Sequence, residues 1–132
     1  MISESDAIPI VIVDDDEPSC RLLRRVLERR GYSVRDASDG RTGLDLIRHT
    51  LPHAALLDLR MPGELSGVDV IRELVADPST ADIPLIIVSA SVHSDARSLT
   101  HSLGAAGFVE KPIDFEELYA MLDRVLAHRL ES

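Results

Sequence analysis

The 132-residue chain has no tryptophan, only two tyrosines and two phenylalanines, so any core it forms must be aliphatic. Its single cysteine, Cys20, excludes an intrachain disulfide and any paired-thiol metal motif, and fits a reducing, cytoplasmic setting. Cations are scarce. Lys and Arg number 14 against 23 Asp and Glu, a net charge of −9. That balance argues against a broad phosphate-backbone interface with nucleic acid and against an anionic membrane surface. No apolar run approaches the roughly 20 residues of a membrane helix. The opening residues, Met1-Ile2-Ser3-Glu4-Ser5-Asp6, lack the basic and apolar regions of a signal peptide. No repeat, low-complexity tract or linker is present, and the length suits one domain.

What the chain does have is four short apolar runs, each closed by a polar residue. Ile10-Val11-Ile12-Val13 leads into Asp14-Asp15-Asp16, and Ala54-Ala55-Leu56-Leu57 into Asp58. Leu85-Ile86-Ile87-Val88 leads into Ser89, and Phe108-Val109-Glu110 into Lys111. Runs of this length, rich in Val, Ile and Leu, read as strands buried on both faces. Tyr32 to Ala37, reached past Gly31, reads as a further strand. Between strands, apolar residues recur at helical spacing. They are Leu22, Leu23, Val26 and Leu27 after Pro18, and Leu44, Ile47 and Leu51 after the turn Ser38-Asp39-Gly40. Val68, Ile71, Leu74 and Val75 follow Gly67, and a last set from Phe115 to Leu126 follows Asp114. A fourth helix is expected between His93 and Leu103. This alternation predicts an α/β protein, a doubly wound parallel sheet of five strands with helices on both faces. Residues 1–7 are expected to be a flexible segment, and 8–130 the folded unit.

In an open sheet of this kind, the carboxyl ends of the strands line one crevice, and ligands bind there. Asp14, Asp15 and Asp58 gathered in it would repel one another and need a counter-ion. Mg²⁺ answers that need, because it takes oxygen ligands and is often held by one or two carboxylates plus a phosphate. Ser89 offers a hydroxyl to a phosphoryl oxygen, and Lys111 a compact positive charge. Asp58 stands alone at a strand end and is the favoured nucleophile, giving an aspartyl phosphate. Asp14 and Asp15 are better placed to hold metal.

Taken together, Val13-Asp14-Asp15, Asp58-Leu59-Arg60-Met61-Pro62, Ser89-Ala90 and Lys111-Pro112 make the chain resemble a bacterial two-component response-regulator receiver domain, of the single-domain, chemotaxis-regulator-like kind. The resemblance spans all five strand-and-helix units and implies the flavodoxin-like (βα)5 three-layer sandwich. It implies Asp58 as phosphoacceptor, supplied by a histidine kinase or phosphotransfer protein. It further implies a Mg²⁺ centre of Asp14, Asp15, Asp58 and the backbone carbonyl of Arg60. Ser89 would be the switch hydroxyl and Phe108 the switch aromatic. Lys111 would contact phosphoryl oxygens, and its bond to Pro112 would be cis. Such a domain is a signalling element with self-catalysed phosphoryl transfer and autodephosphorylation, not an enzyme. Its output would run through a downstream protein target or a homodimer, without direct contact to nucleic acid or membrane.

Several features depart from the pattern or admit plainer readings. The loop Met61-Pro62-Gly63-Glu64-Leu65-Ser66-Gly67 is one residue longer than the commonest form before its glycine. Phe108 lacks the hydroxyl of a tyrosine, so any switch there works by packing. Arg60 and Ser91 would flank the entrance. The phase of the following helix favours Asp14-Asp15 as the acid pair and leaves Asp16 and Glu17 as loop residues. Arg24-Arg25 and Arg29-Arg30 form a basic patch that is either a solvated face or a docking surface. The five histidines share no metal-ligand spacing and read as surface residues. Three other functions compete. A Mg²⁺-dependent phosphatase would want a second acid where Arg60 stands. A flavin module would need a hydroxyl- and glycine-rich loop where Asp14 to Glu17 would repel phosphate. A pseudo-receiver acting without phosphorylation would not need the full acid, hydroxyl and lysine set.

Overall fold

A computed structural model describes residues 7–61, 63–90 and 94–131, with side chains described throughout except at 94 and 128–131. Five strands and five helices alternate along it. β1 (Ile8–Val13), α1 (Glu17–Arg29), β2 (Tyr32–Ala37), α2 (Gly40–Thr50) and β3 (Ala54–Leu57) make the first half. α3 (Gly67–Ala76), β4 (Leu85–Ser89), α4 (Ser94–Leu103), β5 (Gly107–Glu110) and α5 (Phe115–Glu131) complete it. All pairings are parallel, in the order β2-β1-β3-β4-β5, which is the doubly wound arrangement expected from the alternation. The expected flexible segment 1–7 lies, but for Ala7, outside the described residues. So do Pro62, Ser91 and His93.

The period-two geometry of a strand sends alternate residues to opposite faces. Ile10 and Ile12 of β1 therefore join one apolar cluster, with Cys20, Leu23 and Leu27 of α1 and Leu118, Leu122 and Leu126 of α5. Val11 and Val13 join the other, with Leu44 and Ile47 of α2 and Val70, Ile71 and Leu74 of α3. Burying each such side chain contributes roughly 1.5–3 kcal/mol. The sheet is thus covered on both faces, and the aliphatic core demanded by the missing aromatics is in place.

Helical phase corrects three apolar expectations. Cys20, Leu23 and Leu27 fix the inward face of α1, which turns Leu22 outward, 48% exposed. Leu51 is not part of α2. It follows Thr50 as the C-cap in the left-handed conformation, φ 47°, with its amide donating to the Ile47 carbonyl. Val75 sits off the α3 stripe and is 40% exposed. The basic patch is also divided. Arg24 pairs with Glu28 and Asp36, and Arg30 lies over the Tyr119 ring at 4.0 Å and reaches Asp123. His53 departs from the surface reading: it is half-buried, and its Nδ1 is buried without a hydrogen-bond partner among the described residues.

α3 starts at a reciprocal cap. The Ser66 hydroxyl accepts from the Asp69 amide, and the Asp69 carboxylate accepts from the Ser66 amide. The Ser66 amide first, and then the Ser66 hydroxyl, both donating to Asp69 Oδ2 at 3.0 and 3.1 Å, hold the Asp69 carboxyl below its ordinary 3.8. A carboxyl lowered in the folded state stabilises fully above pH 3.8, and that contribution fades as pH falls through the lower folded value. Ser66→Ala is expected to cost about 1 kcal/mol in urea unfolding. Asp69→Asn is expected to flatten the acid limb of stability below pH 3.8; an unchanged limb would show the cap to be energetically idle.

Candidate functional site

Sheet register sets the site. Val13 of β1 pairs with Leu57 of β3, so the next residues, Asp14 and Asp58, leave neighbouring strands at the same height. The Asp58 amide donates to the Val13 carbonyl at 2.9 Å and fixes that alignment. On the other side, Ser89 of β4 pairs with Glu110 of β5, and the Lys111 amide donates to the Ser89 carbonyl at 2.9 Å. Lys111 is therefore delivered to the crevice from a strand two places away from Asp58. The peptide bond between Lys111 and Pro112 is cis, as the resemblance implied.

The two buried carboxyl groups are held alike. Asp14 accepts from the Asp16 amide on Oδ1, at 2.9 Å, and from Lys111 Nζ on Oδ2, at 2.7 Å. Asp58 accepts from the Arg60 amide on Oδ1, at 3.1 Å, and from Lys111 Nζ on Oδ2, at 3.1 Å. One ammonium thus bridges two carboxyls at the floor, while two backbone amides steady the outer oxygens. Burial raises the Asp14 carboxyl above its usual range, and the Lys111 hydrogen bond opposes that rise. Burial works against the Lys111 ammonium, but its bonds to Asp14 and Asp58 outweigh it and leave the pKa above the usual lysine value.

Asp15 is exposed at the mouth, and one carboxylate oxygen from each of Asp14, Asp15 and Asp58 lies within 4.8 Å of the other two. Three carboxyl groups face one ammonium, all with hard oxygen donors. Such a set fits a divalent cation of the Mg²⁺ kind, which matches both the charge imbalance and the ligand preference. Ser89 lies at the end of β4, fully buried. Phe108 is buried in the α3-side cluster, with the Arg97 guanidinium 4.7 Å over its ring. Beside it lies a pocket of ≈ 200 Å³ lined by Arg97, Thr100, His101, Ala105, Gly107 and Phe108.

The structure therefore brings Asp14, Asp15, Asp58 and Lys111 together, with Ser89 tied to Lys111 through the backbone. Asp16 is the N-cap of α1 and turns its carboxylate to the Ser19 hydroxyl, away from the acid set. Its amide, however, supports Asp14. That backbone role and the one at Arg60 carry no side-chain signal, so no motif could reveal them. Arg97 was likewise outside every motif. Cys20 donates its thiol to the Asp14 carbonyl at 3.2 Å, and burial followed by the Asp14 charge pushes it up to about 11. It is a packing thiol at neutral pH.

The loop after Asp58 closes where a side chain would not fit. The Gly67 amide donates to the Leu59 carbonyl at 3.0 Å, and a Cβ on Gly67 would sit 2.4 Å from the Asp58 carbonyl oxygen. At Gly107 a Cβ would meet Met121 Sδ at 2.3 Å, the flexible end of a side chain. Gly67→Ala is expected to cost about 3 kcal/mol and Gly107→Ala about 1 kcal/mol, compared by urea unfolding. Equal costs would mean that the backbone at Asp58 yields as readily as a methionine.

Comparison with known proteins agrees with this architecture. The sequence model of the response regulator receiver domain matches residues 10–123. Protein PilH of Pseudomonas aeruginosa is 36% identical over 118 residues, covering 89% of this chain and 97% of PilH. The transcriptional regulatory protein ZraR of Escherichia coli is 36% identical over 126 residues, and the response regulator PleD of Caulobacter vibrioides 37% over 121. This chain spans only 27% and 26% of those two longer proteins. Among solved structures, a putative response regulator from Chloroflexus aurantiacus superposes with a TM-score of 0.86 at 30% identity, covering 92% of this chain and 98% of that one. A CheY-like receiver protein from Methanospirillum hungatei, at 22% identity, shares the fold with a TM-score of 0.87, covering 95% and 98%.

Proposed function

The chain belongs to the response regulator receiver family of two-component signalling, and from that premise we propose that Asp58 is its phosphoacceptor. The family is one of signalling domains, not a classical enzyme family. The observation that carries the assignment is the shared ammonium: Lys111 Nζ reaches Asp14 and Asp58 at 2.7 and 3.1 Å. Of the two, Asp14 is 3% exposed, while Asp58 is 8% exposed. Asp58 is the more open of the two to an incoming phosphorus.

In the proposed reaction an Asp58 carboxylate oxygen attacks the phosphorus of a phosphohistidine on a histidine kinase or phosphotransfer protein. The P–O bond forms, the N–P bond breaks, and the imidazole leaves. Lys111 then holds a phosphoryl oxygen as a point charge, and the Arg60 amide keeps the carboxyl oriented. Asp14, Asp15, Asp58 and the Arg60 carbonyl would hold Mg²⁺, which when bound neutralises charge building on the transferring group. Ser89 supplies a hydroxyl that turns toward the phosphoryl group, and Phe108 repacks with it, biasing the α4–β5 side toward a second arrangement. Water attack on the acyl phosphate later resets the domain. The folded unit is residues 8–130. Its output is binding of a downstream protein or a second copy, in the cytoplasm, with no direct contact to nucleic acid. No helix among the described residues is long and apolar enough to cross a membrane.

Incubation with acetyl phosphate and Mg²⁺ tests the proposal. One phosphoryl group per chain, mapped to the peptide holding Asp58 and lost with chelator, is the expected result. A chain that remains unlabelled would favour the pseudo-receiver reading.

A further inference from the structure

The long loop between Asp58 and α3 rests on a second glycine, away from its own ends. Gly40 is the first residue of α2 and is buried. A Cβ built there would lie 2.3 Å from the Leu65 carbonyl oxygen and 2.9 Å from the Leu65 Cβ. The first of these contacts is with backbone, which cannot rotate away as a side-chain end does. Leu65 is half-buried and packs against the α2–α3 cluster. It precedes Ser66, whose reciprocal cap with Asp69 anchors the loop's return. At the outgoing end, the same loop presents the Arg60 amide to Asp58 Oδ1 at 3.1 Å. The loop is therefore pinned at Gly67, seated at Leu65 on Gly40, and attached to the acceptor carboxyl at Arg60.

We infer that Gly40 is a positioning residue for the acceptor site: by admitting Leu65 it sets where the extended loop runs, and through Arg60 it sets the orientation of Asp58. The inference rests on the reading of Asp58 as phosphoacceptor and metal ligand. Among the described residues, no hydrogen bond or ion pair joins α2 to the acid set. The influence is mechanical, from the start of α2 to Leu65 and from Leu65 to the Arg60 amide.

The test uses Gly40→Ala, Leu65→Ala and Ile47→Ala in the full chain, followed by the ¹⁵N–¹H resonance of Arg60 and by Mg²⁺ titration calorimetry. Gly40→Ala lifts Leu65 off its seat; Leu65→Ala keeps the carbonyl and Cβ over Gly40 but removes the apolar side chain that holds the loop down on the α2–α3 cluster, at lower risk to folding. Both are expected to shift the Arg60 resonance and weaken Mg²⁺ binding about tenfold, the usual scale for loss of an outer-shell support. Ile47→Ala opens a cavity on the same helix and is expected to lower stability while leaving the Arg60 resonance and Mg²⁺ affinity unchanged. The inference is overturned if Leu65→Ala leaves both readouts at wild-type values, whether or not Gly40→Ala folds. It is equally overturned if Ile47→Ala weakens Mg²⁺ as much as the other two. A wild-type chain that takes up no Mg²⁺ would sink the metal reading instead, and the Arg60 resonance in Leu65→Ala would still decide the positioning role.

Discussion

Asp58→Ala is expected to abolish phosphoryl incorporation from acetyl phosphate entirely, while the folded state persists. The buried carboxyls make this a sharp test. Asp14 sits beside Asp58 and is held in the same way, but its side chain is the more enclosed of the two, 3% exposed against 10%. An incoming phosphorus therefore meets Asp58 first. Asp15 is exposed at the mouth, and the Lys111 ammonium is directed at Asp14 and Asp58 instead, so an acyl phosphate on Asp15 would lack its counter-charge. The variant keeps the Lys111–Asp14 pair and loses one of two like carboxyls sharing an ammonium, so its urea midpoint should equal or exceed that of the wild type. Intact-mass measurement after labelling decides the matter. A phosphoryl group that persists on Asp58→Ala would remove Asp58 from the reaction.

Lys111→Met is expected to cost about 3 kcal/mol in metal-free buffer, the lower end of the range for removing one partner of a buried ion pair. The low end applies because the ammonium is 17% exposed and water screens part of the interaction. Without it, Asp14 and Asp58 face each other with no positive charge between them. Mg²⁺ should return most of the loss. A ligand at a hundred times its dissociation constant stabilises by about 2.7 kcal/mol, and the variant offers the metal two carboxyls that no longer answer to a lysine. Urea unfolding in chelator and in Mg²⁺ measures both quantities. A variant as stable as wild type in chelator would mean that the bridge contributes nothing to the fold.

Much of this molecule was legible because its signals are local. The strands at Ile8–Val13 and Tyr32–Ala37 have the expected boundaries: the first is a continuous apolar stretch, as a buried parallel strand needs, while the second lies at the sheet edge and buries only Val34 and Ala37. The four polar stations were visible because each directly follows such a run. Other parts depend on phase or on the backbone. Leu22, Leu51 and Val75 share helical spacing with core residues, yet a single residue of rotation or one early helix end puts each in solvent. The amides of Asp16 and Arg60 act regardless of their side chains, so residue type says nothing about them. His53 reads as a surface residue by type, and its half-burial at the start of β3 is set by strands distant in sequence. Arg97 over Phe108, and Gly40 beneath Leu65, are contacts between separate elements that only the fold brings together.

The ammonium at the crevice floor has one more property. Lys111 is the only lysine in the chain. Apart from the α-amino group, an acylating reagent aimed at primary amines therefore finds one side-chain target, and that target is the bridge itself. Two carboxyls hold it protonated and mostly enclosed, which suppresses the free amine such reagents attack. Anything that draws those carboxyls elsewhere changes how fast the amine is acylated. A single-site covalent footprint, read by mass, would thus report the charge state of the crevice without any engineered label.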